Sequence, residues 1–163
     1  MVEIRLACEG DVDAIRGVAK DTLYTAYGGF ASPKSIEQAF EEWYDPGLVE
    51  AAISADEIML WVADDDGTVF GFASAEQTWA DEIELHVIYV HPDRWGEGFG
   101  TALFEEVKTW AADVDVDRIA CTVFTDNTIG MSFFEGRGFQ GETEVLTELG
   151  EEQHPEREVV YEL

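Results

Sequence analysis

Lysine is almost absent from this 163-residue chain: Lys20, Lys34 and Lys108 are all there is. Lys and Arg together number 9 against 36 Asp and Glu, for a formal net charge of −27. So few cations exclude the basic face that nucleic acid or an anionic membrane surface requires. Long apolar runs are missing too. Ile58 to Ala63 is among the longest, far short of the ~18 residues of a membrane span. The first residues, Met1-Val2-Glu3-Ile4-Arg5, show no basic segment leading into an apolar one. No export signal is therefore expected, and the chain is read as cytoplasmic. Cysteine is scarce. Cys8 and Cys121 are expected as unpaired, buried thiols in a reducing compartment. Repeats, low-complexity stretches and linkers are absent, so residues 1–163 are read as a single domain.

What is present is material for a core. Apolar residues make up 46% and aromatics 12%, enough to fold a chain whose net charge resembles that of disordered segments. Total charge is an ordinary 28%, so the imbalance lies in sign. A local acidic patch for a cationic partner, an acidic tail and a salt-adapted surface compete as explanations. Asp and Glu number 10 in residues 1–50, 11 in 51–100 and 15 in 101–163. The spread is even. Self-repulsion of this size destabilises a compact state in dilute buffer, and at 1 M salt a Debye length of ~3 Å screens it. The distribution points to molar salt and a halophilic archaeal source.

Hydrophobic periodicity gives the elements. Val2, Ile4 and Leu6 alternate as a strand. Asp11 is placed to cap a helix through Tyr27, striped by Val12, Ile15, Val18, Ala19 and Leu23 and ended by Gly28-Gly29. A second helix is expected from Ser35 to the break at Asp45-Pro46-Gly47, then a short one over Leu48–Ser54. Strands are expected at Ile58–Ala63 and Thr68–Ala75, hinged at Asp64-Asp65-Asp66-Gly67, and at Glu82–Val90. The aspartate turn lacks calcium-loop spacing, and no metal site is expected. After a glycine-rich loop come a helix (Gly98–Ala112), a strand (Arg118–Phe124), a helix (Thr128–Glu135), and strands at Phe139–Leu146 and Arg157–Leu163. The fold class is α+β, a mixed, mostly antiparallel sheet flanked by helices. An exposed edge at Arg157–Leu163 is a candidate for homodimer pairing.

The central segment carries the chemistry. A strand ending at Val90 runs through His91-Pro92-Asp93-Arg94-Trp95 into Gly96, Gly98 and Gly100 and straight into a helix. Glycine lets a backbone turn tightly and approach a ligand, and N–H groups at a helix start suit a pyrophosphate. Arg94, the one cation between Lys34 and Lys108, stands beside this loop. A Walker loop needs Gly-Lys-Ser/Thr, whereas this loop reads Gly100-Thr101-Ala102. A Rossmann loop reads GxGxxG with an acid closing the next strand, and here Asp117 precedes that strand.

The run from Val90 to Leu103, Val-x-Pro followed by Gly-x-Gly-x-Gly and a helix, resembles the acyl-CoA signature of the GNAT family of N-acetyltransferases. Asn127, Gly130, Phe133, Phe134, Gly138 and Phe139 are similar to a second block of that family. The resemblance implies a GNAT-like acyl-CoA N-acyltransferase fold, acetyl-CoA as donor and a small amine or peptide as acceptor. It implies that the pantetheine arm lies beside Ile88 and Val90, where the Ile88 N–H acts as oxyanion donor. Gly96, Glu97, Gly98, Phe99, Gly100 and Thr101 would hold the pyrophosphate, Arg94 would supply charge beside them, and Trp95, Asn127 and Phe134 complete the expected cofactor-binding set.

An amine must lose a proton to attack, so a base is needed. By the period of two, Glu84, His86, Ile88 and Val90 share one strand face. Glu84 matches the glutamate base of well-studied relatives, and His86 is the rival. Two departures stand out. Trp95 replaces the usual Gln or Arg, and Phe134 replaces the tyrosine that protonates the leaving thiolate. The second leaves open a catalytically weak acyl-CoA-binding module as the alternative. Tyr24, Tyr27, Phe30, Trp43 and Trp79 are the aromatic candidates for an acceptor pocket.

Overall fold

A computed structural model describes the whole chain, residues 1–163. The alternating start forms β1 (Val2–Leu6). Helix α1 (Val12–Tyr27) buries the expected stripe, with Ile15, Ala19 and Leu23 at most 1% exposed. Its start departs from expectation. Asp11 makes no side-chain cap to α1. Its carboxylate instead accepts from Arg5 Nη1 and Nη2 at 2.8 and 3.0 Å and from the Cys8 N–H at 2.8 Å. A charged donor from the neighbouring strand outcompetes the helix amides.

Helix α2 (Pro33–Trp43) begins before the expected Ser35, because Ser32 caps the Ser35 N–H at 3.2 Å and proline occupies the first turn. Helix α3 (Pro46–Ser54) repeats the device, with Asp45 capping Gly47. Strands β2 (Ile58–Asp65) and β3 (Thr68–Trp79) form the hairpin, turned by Asp66 and Gly67 at φ 50° and 98°. Then come β4 (Glu82–Val90), α4 (Phe99–Asp113), β5 (Arg118–Phe124), α5 (Thr128–Glu135), β6 (Glu144–Leu149) and β7 (Glu152–Glu162).

The seven strands form one sheet in the order β1-β2-β3-β4-β5-β7-β6. Every neighbouring pair is antiparallel except β4–β5, which is parallel. Apolar side chains fill both faces. Leu103, Phe104 and Val107 of α4 pack with Ile83, Leu85 and Ile119 on one face. On the other, Ile15 and Leu23 of α1 and Ile36 and Phe40 of α2 pack on Leu60, Val62 and Phe72. No helix is long and apolar enough to cross a membrane.

Three expectations are corrected. Phe139 is not in a strand. It is 2% exposed and packs its ring on Phe104 and Phe134, and the chain touches the sheet only at a Gln140–Val160 bridge before β6 begins. Arg157–Leu163 is not an edge. β7 lies between β5 and β6: β5 pairs with this segment through Glu162, while on the other side β6 reaches Arg157 and Gln140 bridges Val160. Both cysteines are free, but Cys8 is exposed where burial was expected.

Candidate active site

The parallel seam between β4 and β5 is short. Only Glu82–Arg118, Ile83–Ile119 and Glu84–Ala120 pair, and beyond them the strands part. A cavity of about 350 Å³ opens in the gap, walled by the end of β4, the glycine loop, the first turn of α4, β5 and α5. Carbonyl and amide directions alternate along a strand. The His91 N–H donates to Phe70 O on β3 at 2.7 Å, so Tyr89 and Val87 also face β3. Ile88 and Val90 therefore turn their N–H and C=O groups into the gap. The Val90 carbonyl accepts from Trp95 Nε1 at 2.7 Å, which pins the loop to the strand end and gives the unexpected tryptophan a role.

The shared face expected for Glu84, His86, Ile88 and Val90 does not form. In the β3–β4 register Ser74 pairs with Val87 and Ala75 with Leu85, so His86 is the extra residue of a β-bulge. The bulge reverses the alternation. Ile83, Leu85, Ile88 and Val90 pack toward α4, whereas Val87 and Tyr89 pack toward α1 and α2. Glu84 thus belongs to the second face. His86 sits at the changeover and lines the gap, with Nε2 3.1 Å from Glu76 and Nδ1 3.9 Å from Glu84. Glu84 itself lines no part of this cavity.

In the loop, Gly96 and Gly98 adopt φ of 81° and 89°, a region that side chains resist. Gly98 is the N-cap of α4 and brings no capping side chain, so the first-turn amides stay available beside the cavity. Gly100 has a different reason: a Cβ there would meet the Phe133 ring at 2.8 Å, so glycine lets α5 close on α4. Phe99, Gly100 and Thr101 line the cavity, whereas Glu97 does not. Asn127 is buried on the wall and caps α5 through the Gly130 N–H at 3.0 Å. Phe134 also lines the wall and packs on Phe133 and Phe139.

The two arginines of the cavity differ. Arg94 does not stand free. It lies 4.2 Å above the Phe70 ring and pairs with Asp65 and Glu97, each at 3.3 Å. Arg137, which the sequence reading passed over, bonds the Phe133 carbonyl and the Thr101 hydroxyl and meets no carboxylate. Its buried Nε has no partner, and burial pulls its pKa down. Its flanking glycines, in a chain poor in cations, were the available signal.

A second cavity, also about 350 Å³, lies on the α1–α3 face and shares Tyr27, His86, Val87, Tyr89 and Thr122 with the first. Of the aromatic candidates, Tyr27 and Trp43 line it, joined by Tyr44, Tyr89 and Phe124. Tyr24 instead bonds Glu37 at 2.7 Å, Phe30 packs on Tyr27, and Trp79 is 67% exposed. Tyr27 and Tyr89 bring their hydroxyls within 3.4 Å, and burial raises the pKa of both, so each keeps its proton at neutral pH. Glu156 of β7 supplies a half-buried carboxylate, raised in pKa chiefly by desolvation while a Thr147 hydrogen bond opposes the shift. The Cys121 thiol on the first cavity is pushed up by burial and by the nearby Glu156 and Glu84. No group of three or more His, Cys, Asp or Glu is arranged to hold a metal ion.

The model of the acetyltransferase (GNAT) family matches residues 21–139. An uncharacterized N-acetyltransferase of Methanocaldococcus jannaschii is 29% identical over 81% of this chain and 62% of its own length, so this chain spans less than two thirds of that relative. A spermidine N(1)-acetyltransferase of Thermoplasma acidophilum is 25% identical over 86% of this chain and 89% of its own. In three dimensions, the PaiA N-acetyltransferase of Thermoplasma acidophilum, solved in complex with coenzyme A, superposes with a TM-score of 0.86 over 99% of both chains at 23% identity.

Proposed function

This chain belongs to the GNAT family of acetyltransferases, and from that premise we propose that it transfers the acetyl group of acetyl-CoA to a primary amine by direct attack in a ternary complex. The observation that carries this reading is the gap beyond the β4–β5 seam, with Ile88 turning its main chain inward and the uncapped start of α4 at one end. The thioester would lie in this gap, its carbonyl oxygen receiving the Ile88 N–H as negative charge develops. The first-turn amides of α4, with Arg137, would meet the pyrophosphate.

The amine would enter from the second cavity. Its nitrogen attacks the thioester carbon, the C–S bond breaks, and the proton leaves the nitrogen. His86 is favoured as the acceptor of that proton because it lines both cavities, with Glu76 and Glu84 beside its two ring nitrogens to hold the imidazolium. Phe134 has no proton to give the departing thiolate. Tyr89 and Tyr27 do, and both stand on the wall of the gap. The evenly spread carboxylates support a setting of molar salt.

A thiol-release assay with acetyl-CoA and a panel of amines in molar KCl tests the proposal. Amine-dependent release of CoA supports it. A second reading, an acyl-CoA-binding module without turnover, rests on Phe134. Tight CoA binding with no release on any amine would establish that reading instead.

A further inference from the structure

The second cavity distributes its polarity unevenly. Its junction with the donor gap is marked by His86 and Thr122, which line both. Glu156 lies close by, paired across the ladder with Phe124 of β5, two residues beyond Thr122. The opposite wall is α3 and β2, and there Leu48, Val49, Ala52, Ile58 and Leu60 contribute no charge. None of these five borders the donor gap. Between the two ends run aromatic rings. Trp43 and Phe124 are stacked with centroids 6.3 Å apart, and Tyr44 packs on Phe72 and Tyr89.

We propose that the acceptor is a primary amine with one cationic group and an apolar, ring-sized body, its ammonium received by Glu156 on entry before the nitrogen passes its proton to His86 and attacks in the donor gap, and its body seated between Trp43, Tyr44 and the α3 wall. This rests on the transferase reading above and deepens it. Charge complementarity carries the near end. A half-buried carboxylate without a cationic partner is the group an incoming ammonium would compensate. Aromatic faces beside it attract the same cation. Volume carries the body, since about 350 Å³ falls at the small end of the ~300–1,000 Å³ of small-molecule pockets. The far wall favours an apolar body over a polyamine lying along the cavity, because a second ammonium there would gain no carboxylate from Leu48, Val49 or Ala52.

The test uses the full chain in molar KCl, with 2-phenylethylamine, putrescine, spermidine and a short peptide with a free N-terminus as acceptors. Thiol release gives kcat and KM, and tryptophan fluorescence of the CoA-loaded protein reports binding. The expected result is kcat/KM at least about tenfold higher for 2-phenylethylamine than for the other three. Glu156→Gln should raise its KM about tenfold or more with a smaller effect on kcat. Leu48 is 55% exposed, so Leu48→Glu leaves the core intact and should improve putrescine relative to 2-phenylethylamine. A preference for putrescine, spermidine or the peptide overturns this inference and leaves the transferase reading standing. Binding of 2-phenylethylamine that weakens in Glu156→Gln, without release on any amine, supports the pocket and overturns the transferase reading. Absence of both binding and release overturns both.

Discussion

Arg137 lays its guanidinium over the Phe133 ring, 3.6 Å from the centroid, and donates Nη2 to the hydroxyl of Thr101 in the first turn of α4. The contact ties the C-terminal end of α5 to the start of α4. It also delivers to the α4 end of the gap a cation that no carboxylate neutralises. Arg94, which the sequence singled out, is already flanked by Asp65 and Glu97.

Arg137→Met should therefore weaken CoA binding more than Arg94→Met. A charge-assisted contact to phosphate predicts about a tenfold rise in Kd, or ~1.4 kcal/mol, for the first and a smaller change for the second. Calorimetric titration with CoA measures both. The reverse order would return the phosphate role to Arg94.

The bulge predicts which residue sets the pH profile. His86→Ala should lower kcat about a hundredfold or more and remove the acidic limb of kcat/KM. Glu84→Gln should keep the limb and lose less activity, since Glu84 lines neither cavity and only neighbours the imidazole at 3.9 Å. A limb that survives in His86→Ala but not in Glu84→Gln would make the carboxylate the base.

That bulge also marks where the sequence stopped being legible. β4, β5 and α5 begin and end as read, because their apolar runs are bounded by strong signals: the Gly28-type breaks are replaced there by Asp81, Asp117 and the Asn127 cap. The glycine loop was equally plain. An inserted residue leaves no mark in composition, however, and period-two counting carried His86, Ile88 and Val90 onto the face of Glu84. Strand order is likewise a matter of tertiary contact, so β7 looked like an edge until β6 was found beside it. Glu156 was invisible among 36 acids, because only the fold half-buries it among rings.

Asp11 predicts an acid-sensitive contribution to stability. Its hydrogen bonds from Arg5 hold its pKa at about 2, against a desolvation effect in the other direction. A depressed carboxylate pKa stabilises the fold above the unfolded value near 3.8 and loses that contribution as pH falls toward 2. Asp11→Asn should cost about 1–2 kcal/mol at pH 7, read as a Tm lowered by roughly 3–6 °C. The gap between the two proteins should narrow steeply as pH falls to 2 and close only below it. A gap unchanged with pH would assign the loss to packing.

The net charge of −27 predicts the response to salt. Raising KCl from 0.1 to 2 M should increase Tm, since screening relieves carboxylate repulsion. CoA is itself polyanionic, so its affinity should hold or rise over the same range. Full stability in dilute buffer would remove the case for a salt-adapted surface. A steep fall in affinity would show direct charge pairing to dominate.

The brevity of the β4–β5 seam has a mechanical meaning. Four strands lie on one side of it and three on the other, and three residue pairs stitch the two plates together. A donor molecule lodged where the stitching ends would grip Ile88 on one plate and the β5 side on the other, replacing the ladder bonds the fold leaves out. Ligand occupancy and the rigidity of the whole sheet would then rise together. Amides flanking the opening, from Ile88 to Val90 and from Cys121 to Val123, are where hydrogen exchange should register that tightening first.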